Sequence, residues 1–149
     1  MANDIRNNSF LFGATTTACG RWLLVTSEST AMAKPAVLIV EDEPLLRMDA
    51  VDSIEEAGFE AIEAAHADEA IAILRTRHDI AVVFTDIEMP GTMDGLKLAH
   101  AVRDGWPPVV IVVASGRVTP QEGELPAHVR YIRKPYRPAE VIAALRQAA

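Results

Sequence analysis

The chain has a single cysteine, Cys19, so no internal disulfide can staple it, and a reducing, cytoplasmic setting is the expectation. It lacks any apolar run near the roughly eighteen uninterrupted residues that would cross a bilayer. It also lacks a basic excess. The net charge of -7 disfavours both a nucleic-acid phosphate backbone and an anionic membrane leaflet as partner. The four histidines, His66, His78, His100 and His128, are scattered and show no spacing that resembles a metal box. No glycine-rich Walker loop is present. What remains is a chain of 149 residues, 50% of them hydrophobic and 23% charged, the make-up of one globular domain.

The first 33 residues read differently from the rest. They hold no sustained period of 2 or 3.6 and are rich in Thr, Ser, Asn and Ala. As a signal peptide the stretch is poor, because Asp4 cancels Arg6 and Gly13, Gly20 and Arg21 interrupt the apolar residues. The expectation is an N-terminal extension, either flexible or an upstream over-reading with Met32 as the true start. Residues 34 to 149 then form the domain.

From Ala36 onward two kinds of segment alternate. "AVLIV" (36–40) is a continuous β-branched run, the mark of a strand covered on both faces. A helix is expected over 44–58, with Pro44 in its first turn, Gly58 at its end and Leu46, Ala50, Ile54 and Ala57 on one stripe. The cycle repeats with a strand at 59–65 and a helix at 67–77, then a strand at 80–86 and a helix at 94–105. A very apolar strand follows at 109–115. The next segment carries Pro120, Gly123 and Pro126, so any helix there is short. A fifth strand at 129–133 and a helix at 137–149 close the chain.

Strands alternating with crossover helices imply a parallel sheet with helices on both faces. Five cycles in so short a chain fit an open, doubly wound (βα)5 sandwich with a five-stranded parallel sheet, rather than a closed eight-fold barrel. Ligands of such sheets bind at the carboxyl ends of the strands. There the sequence places Glu41, Asp42 and Glu43, then Asp86, then Ser115 and Gly116, then Lys134. Any one of these could be an ordinary turn or capping residue. Together they are acids, a hydroxyl and an ammonium converging on one rim. Crowded carboxylates stay ionised when a cation sits among them, and hard oxygen donors suit Mg²⁺ or Mn²⁺ rather than zinc. A lysine and a hydroxyl opposite a metal-binding aspartate are the parts of a phosphoryl-transfer site, with Asp86 as nucleophile.

"VLIVEDE", "TDIEMPGTMDG", "VVASG" and "YIRKPY", in that order across residues 36 to 148, resemble the receiver domain of two-component response regulators. The resemblance implies the flavodoxin-like fold of that family, with a fourth helix that here is short or degenerate. It implies that Asp86 accepts a phosphoryl group from a histidine kinase or a histidine phosphotransfer protein. Asp42, Asp86 and the backbone carbonyl of Glu88 would ligate Mg²⁺, with Glu41 acting mostly through water. Ser115 and Lys134 would contact the phosphoryl oxygens, and Tyr131 would turn inward as Ser115 moves. The Lys134–Pro135 bond stands where this family usually has a cis peptide. Glu88 and Arg117, two residues beyond Asp86 and Ser115, would flank the attacking water, and an ion pair between them would shield the acyl phosphate.

Two departures stand out. "PGTMDG" holds one residue more than the commonest spacing, and the segment after Ser115 is short and broken. The chain stops just after its last helical segment, so the expectation is a stand-alone switch that docks on an undefined protein target, relays phosphate or drains it. Chemistry of its own would be limited to self-phosphorylation and self-dephosphorylation. Two alternatives are a receiver-like docking module that does not react and a small-molecule phosphatase or phosphotransferase. The haloacid-dehalogenase-like enzymes also use a strand-end Asp, but with a second Asp two residues on, where this chain has Glu88.

Overall fold

A computed structural model describes residues 33–149. The expected extension, Cys19 and the candidate start at Met32 lie outside the described residues. The elements run β1 (Ala36–Val40), α1 (Pro44–Glu56), β2 (Glu60–Ala64), α2 (Ala67–Thr76), β3 (Ile80–Asp86), α3 (Gly95–Gly105), β4 (Val110–Ser115), β5 (Val129–Arg133) and α4 (Pro138–Ala148). All neighbouring strands pair in parallel, in the order β2-β1-β3-β4-β5. The doubly wound sandwich expected from the alternation is the fold.

The unbroken apolar strands are explained by two cores. Val37 and Ile39 of β1, Val82 and Phe84 of β3, and Val112 and Ala114 of β4 pack with Ile54 of α1 and Val141 and Leu145 of α4. Leu38, Val83, Ile111 and Val113 face the other way, against Leu74 of α2 and Leu98 and Val102 of α3. A strand side chain alternates faces, so a sheet sandwiched between helices needs apolar residues at every position. Pairing between β1 and β3 shifts between Ala36 and Val37, whose partners are Ile80 and Val82. That slip of one residue lets Ile80 and Val83 serve the same core although they are three apart.

Local chemistry sets the helix starts. Pro44 opens α1, where its missing N–H costs nothing. Asp94 caps α3 by accepting from the Lys97 amide at 2.9 Å. His66 caps α2 through Nδ1, which accepts from the Glu69 amide at 3.2 Å. α1 is the least covered helix: of its expected stripe only Ile54 is fully buried, while Leu46 is 42% exposed.

The short helix allowed between β4 and β5 does not form, so four helices stand among the described residues. The segment is instead an irregular strap with Gly123 and His128 at positive φ. Pro120 and Pro126 remove amide donors that a helix would need. His100 of α3 holds the strap by a 2.9 Å contact from Nε2 to the Glu124 carbonyl, and Leu125 packs on the core.

Candidate functional site

Sheet order makes the ends of β1, β3, β4 and β5 contiguous, and the chain reverses its winding between β1 and β3. The crevice at that switch point is where an open parallel sheet offers a site. Asp86 closes β3, the central strand, and is buried with Glu41 and Ser115, while Asp42 is half-buried. The carboxylates of Glu41, Asp42 and Asp86 lie within 4.8 Å of one another.

Lys134 enters this group from the loop after β5. Its Nζ donates to Asp86 Oδ2 at 2.8 Å and to Glu41 Oε2 at 3.2 Å. The Lys134–Pro135 peptide is cis, and the Lys134 amide is held by the Ser115 carbonyl at 2.8 Å. The second oxygen of Asp86, Oδ1, accepts from the Glu88 amide at 3.2 Å. Both oxygens of the central carboxylate are therefore oriented before any ligand arrives.

Burial raises the Glu41 carboxyl above its usual range, and the nearby Asp86 charge adds to the shift. The Glu43 amide and the Lys134 ammonium oppose it without cancelling it. For Lys134, burial works against the charged form, but the hydrogen bond and charge of Asp86, then of Glu41, hold the ammonium more firmly than in water. The site thus stores negative charge that its single lysine only partly balances.

The remaining expected residues gather at the rim. Ser115 Oγ accepts from the Val118 amide at 3.1 Å. Tyr131 is half-buried, and its hydroxyl donates to the carbonyls of Ser115 and Val118 over long contacts of 3.5 and 3.4 Å. Glu88 and Arg117 do meet, but not as the expected ion pair. The Glu88 carboxylate accepts from the Arg117 backbone amide at 3.1 Å, and no Glu88–Arg117 salt bridge exists among the described residues. The main chain after β4, rather than the Arg117 side chain, meets the carboxylate, and it does so at Oε1.

Two residues important to the site were not singled out from the sequence. A Cβ at Gly95 would stand 1.9 Å from the Asp86 carbonyl oxygen, so only glycine fits where α3 presses on the end of β3. The "DG" pair carried that signal, since Asp94 caps the helix and glycine follows. Arg47 is the other. Its Nη1 donates to the Glu41 carbonyl at 2.7 Å and its Nε to Glu63 Oε1 at 3.2 Å. No sequence signal distinguished it from a solvent-facing helix arginine.

The extra residue in the loop after Asp86 is absorbed locally. Gly91 takes φ 116°, and Thr92 Oγ1 donates to Asp68 Oδ2 at 3.2 Å, tying the loop to α2.

Taken together, a strand-end carboxylate clamped by a lysine, with acids beside it and a hydroxyl one strand away, is an acidic, lysine-bridged site at the strand ends of a doubly wound sheet. Residues 37–146 match the family described as the response regulator receiver domain, and the chain belongs to it. The hydrogenase transcriptional regulatory protein HoxA of Cupriavidus necator is 33% identical over 119 residues, 77% of this chain and 24% of that protein. The transcriptional regulatory protein PdtaR of Mycobacterium tuberculosis is 30% identical over 126 residues, 83% of this chain and 60% of that protein. This chain therefore spans less than two thirds of the length of these relatives. Among solved structures, a response regulator receiver protein from Sinorhizobium medicae superposes with a TM-score of 0.72 at 27% identity, covering 78% of this chain and 94% of that one.

Proposed function

We propose that this domain is a phosphorylation switch in which Asp86 accepts a phosphoryl group from a phosphohistidine of a histidine kinase or phosphotransfer protein. The reading rests above all on Lys134, whose ammonium spans Asp86 and Glu41 at the mouth of a receiver-family sheet. In the transfer an Asp86 oxygen attacks phosphorus and a new O–P bond forms. The donor's N–P bond breaks, its electron pair stays on the imidazole, and the imidazole takes up a proton.

The donor set fits a hard divalent cation, Mg²⁺ or Mn²⁺, because three carboxylates lie close together with one lysine to balance them. Asp42, Asp86 and the Glu88 carbonyl would hold it, with Glu41 acting through water, and it would neutralise charge on the transferring group. Lys134 pairs with a phosphoryl oxygen, and the Ser115 hydroxyl donates to another. Movement of Ser115 then changes the hydrogen bonds that bind Val118 and Tyr131, which passes the event to the strap after β4. The Glu88 contact to the Arg117 amide lies beside that route and favours a role in setting the phosphate's lifetime.

Leu45, Leu46 and Met48 of α1 are 69%, 42% and 58% exposed beside the site. Such an apolar helix face suits a helical phosphodonor partner, and an exchange with such a kinase would take place in the cytoplasm. Output is by docking on a protein, relay of the phosphate or its drainage.

The test is intact mass after incubation with Mg²⁺ and acetyl phosphate. One phosphoryl group should appear on the wild type, be absent from Asp86→Asn, and fail to appear when a chelator is added first. A folded wild type that gains nothing from either acetyl phosphate or a phosphorylated kinase would reject the reading.

A further inference from the structure

Arg47 sits in the first turns of α1 with its side chain only 18% exposed, although it carries a full charge. Its guanidinium makes two bonds in different directions. Nη1 reaches the Glu41 carbonyl at 2.7 Å, a short, charge-assisted contact, and Nε reaches Glu63 on β2 at 3.2 Å. The Arg47 amide is itself anchored to the Glu43 carbonyl at 2.9 Å, so the residue closes a small loop around the end of β1.

We propose that Arg47 is a positioning residue for the acid pair Glu41–Asp42, holding the peptide between them so that both carboxylates face Asp86. This rests on the phosphoacceptor reading above. Strand pairing of β1 ends at Val40, opposite Ala64 on one side and Thr85 on the other. The Glu41 amide still donates to the Ala64 carbonyl at 3.2 Å, and the guanidinium supplies the bond for the Glu41 carbonyl. That carbonyl belongs to the Glu41–Asp42 peptide plane. Clamping it fixes the dihedral angles on either side, and those decide where both side chains leave the strand. Without Arg47 the plane is free to turn, and the carboxylates lose their common focus.

The fork geometry matters here. A lysine ammonium donates from a single nitrogen, whereas the planar guanidinium presents Nη1 to the carbonyl and Nε to Glu63 from two separate, rigidly spaced atoms. The ion pair to Glu63 contributes little by itself, since that carboxylate is 53% exposed. The backbones of Asp86 and Lys134 belong to β3 and to the loop after β5, which the clamp does not hold, and the bond from Lys134 to Asp86, at 2.8 Å, is shorter than the one to Glu41, at 3.2 Å. Arg47 therefore acts on divalent-cation affinity and leaves the transfer step nearly untouched.

Charge and orientation predict opposite signs, which makes the idea testable on the full chain. Removing a cation beside an acidic pocket strengthens Mg²⁺ binding if charge is all that Arg47 supplies. Losing orientation weakens it, by about tenfold for a residue that positions metal ligands. The measurement is calorimetric titration with MgCl₂ for the wild type, Arg47→Met, Arg47→Lys and Glu63→Gln. Alongside it, the phosphorylation rate with acetyl phosphate is followed against Mg²⁺ concentration, with a thermal melt of each variant. The expected result is about a tenfold rise in Kd for Arg47→Met and a rise for Arg47→Lys too. The rate at saturating Mg²⁺ should fall less than about twofold, and Glu63→Gln should bind like the wild type. Arg47→Gln, whose amide extends only as far as Nε and so falls short of the carbonyl that Nη1 bonds, should lose affinity as Arg47→Met does and covers the case where Arg47→Met fails to fold. Unchanged or tighter Mg²⁺ binding in Arg47→Met, or full recovery by Arg47→Lys, would overturn the proposal. A wild type that binds no Mg²⁺ would overturn the phosphoacceptor reading and this inference with it.

Discussion

At the scale of single residues, the site depends on how little room surrounds Asp86. Its carboxylate is held by Lys134 and the Glu88 amide, and its carbonyl stands where any side chain at Gly95 would have to go. Alanine at 95 places a methyl group 1.9 Å from a backbone oxygen, and backbone yields less readily than a side chain end. Gly95→Ala should therefore cost about 2 kcal/mol or more in urea unfolding, within the range for overpacking a tight interior. It should also slow phosphorylation by acetyl phosphate, because the main chain that moves is the one carrying the acceptor. An unshifted urea midpoint would show that α3 retreats freely from β3.

Among the elements, the strap between β4 and β5 departs furthest from a regular crossover. Its proline and glycine residues forbid a helix, so it leans on polar pins: Ser115 Oγ to the Val118 amide, Tyr131 to Val118, and His100 to Glu124. Two of those pins belong to Ser115 and Tyr131, the residues of the proposed switch, and the third does not. His100→Ala removes one exposed hydrogen bond, a loss of about 1 kcal/mol. Amide exchange should quicken across residues 118–128 while β4 keeps its protection. Equal quickening in β4 would mean that strap and strand open together.

At the scale of the whole molecule, the acidic pocket trades stability for readiness. Burial raises the Glu41 carboxyl above its ordinary value of 4.5, so the folded chain binds a proton there more tightly than the unfolded chain does. Stability from this group therefore rises as pH falls through the raised value toward 4.5, and the ionised carboxylate costs stability at neutral pH. Glu41→Gln should raise the urea midpoint at pH 7 without divalent cations. That advantage should shrink as the pH approaches 4.5. Asp79, held down to about 2 by Arg77, lies outside this window and should not blur it. A Glu41→Gln midpoint that fails to rise at pH 7 would mean that the contact to Lys134 outweighs the cost of burial.

Much of this protein was determined by its sequence alone. Continuous apolar runs separated by amphipathic segments leave a sandwiched parallel sheet as the stable arrangement, and such a sheet must present its strand ends along one edge. Asp42, Asp86, Ser115 and Lys134 could be placed at one rim for that reason, from short-range pattern and topology. Tertiary structure decided what depends on contacts between distant stretches, which leave no period in the chain. It turned the Glu88–Arg117 meeting into a carboxylate-to-amide bond, because the backbone arrives where a side chain was expected. It left the fourth crossover as a strap fastened by His100 from another helix. It brought Arg47 across to the Glu41 carbonyl, since only packing α1 against the sheet puts a guanidinium within 2.7 Å of a strand end that has run out of strand partners.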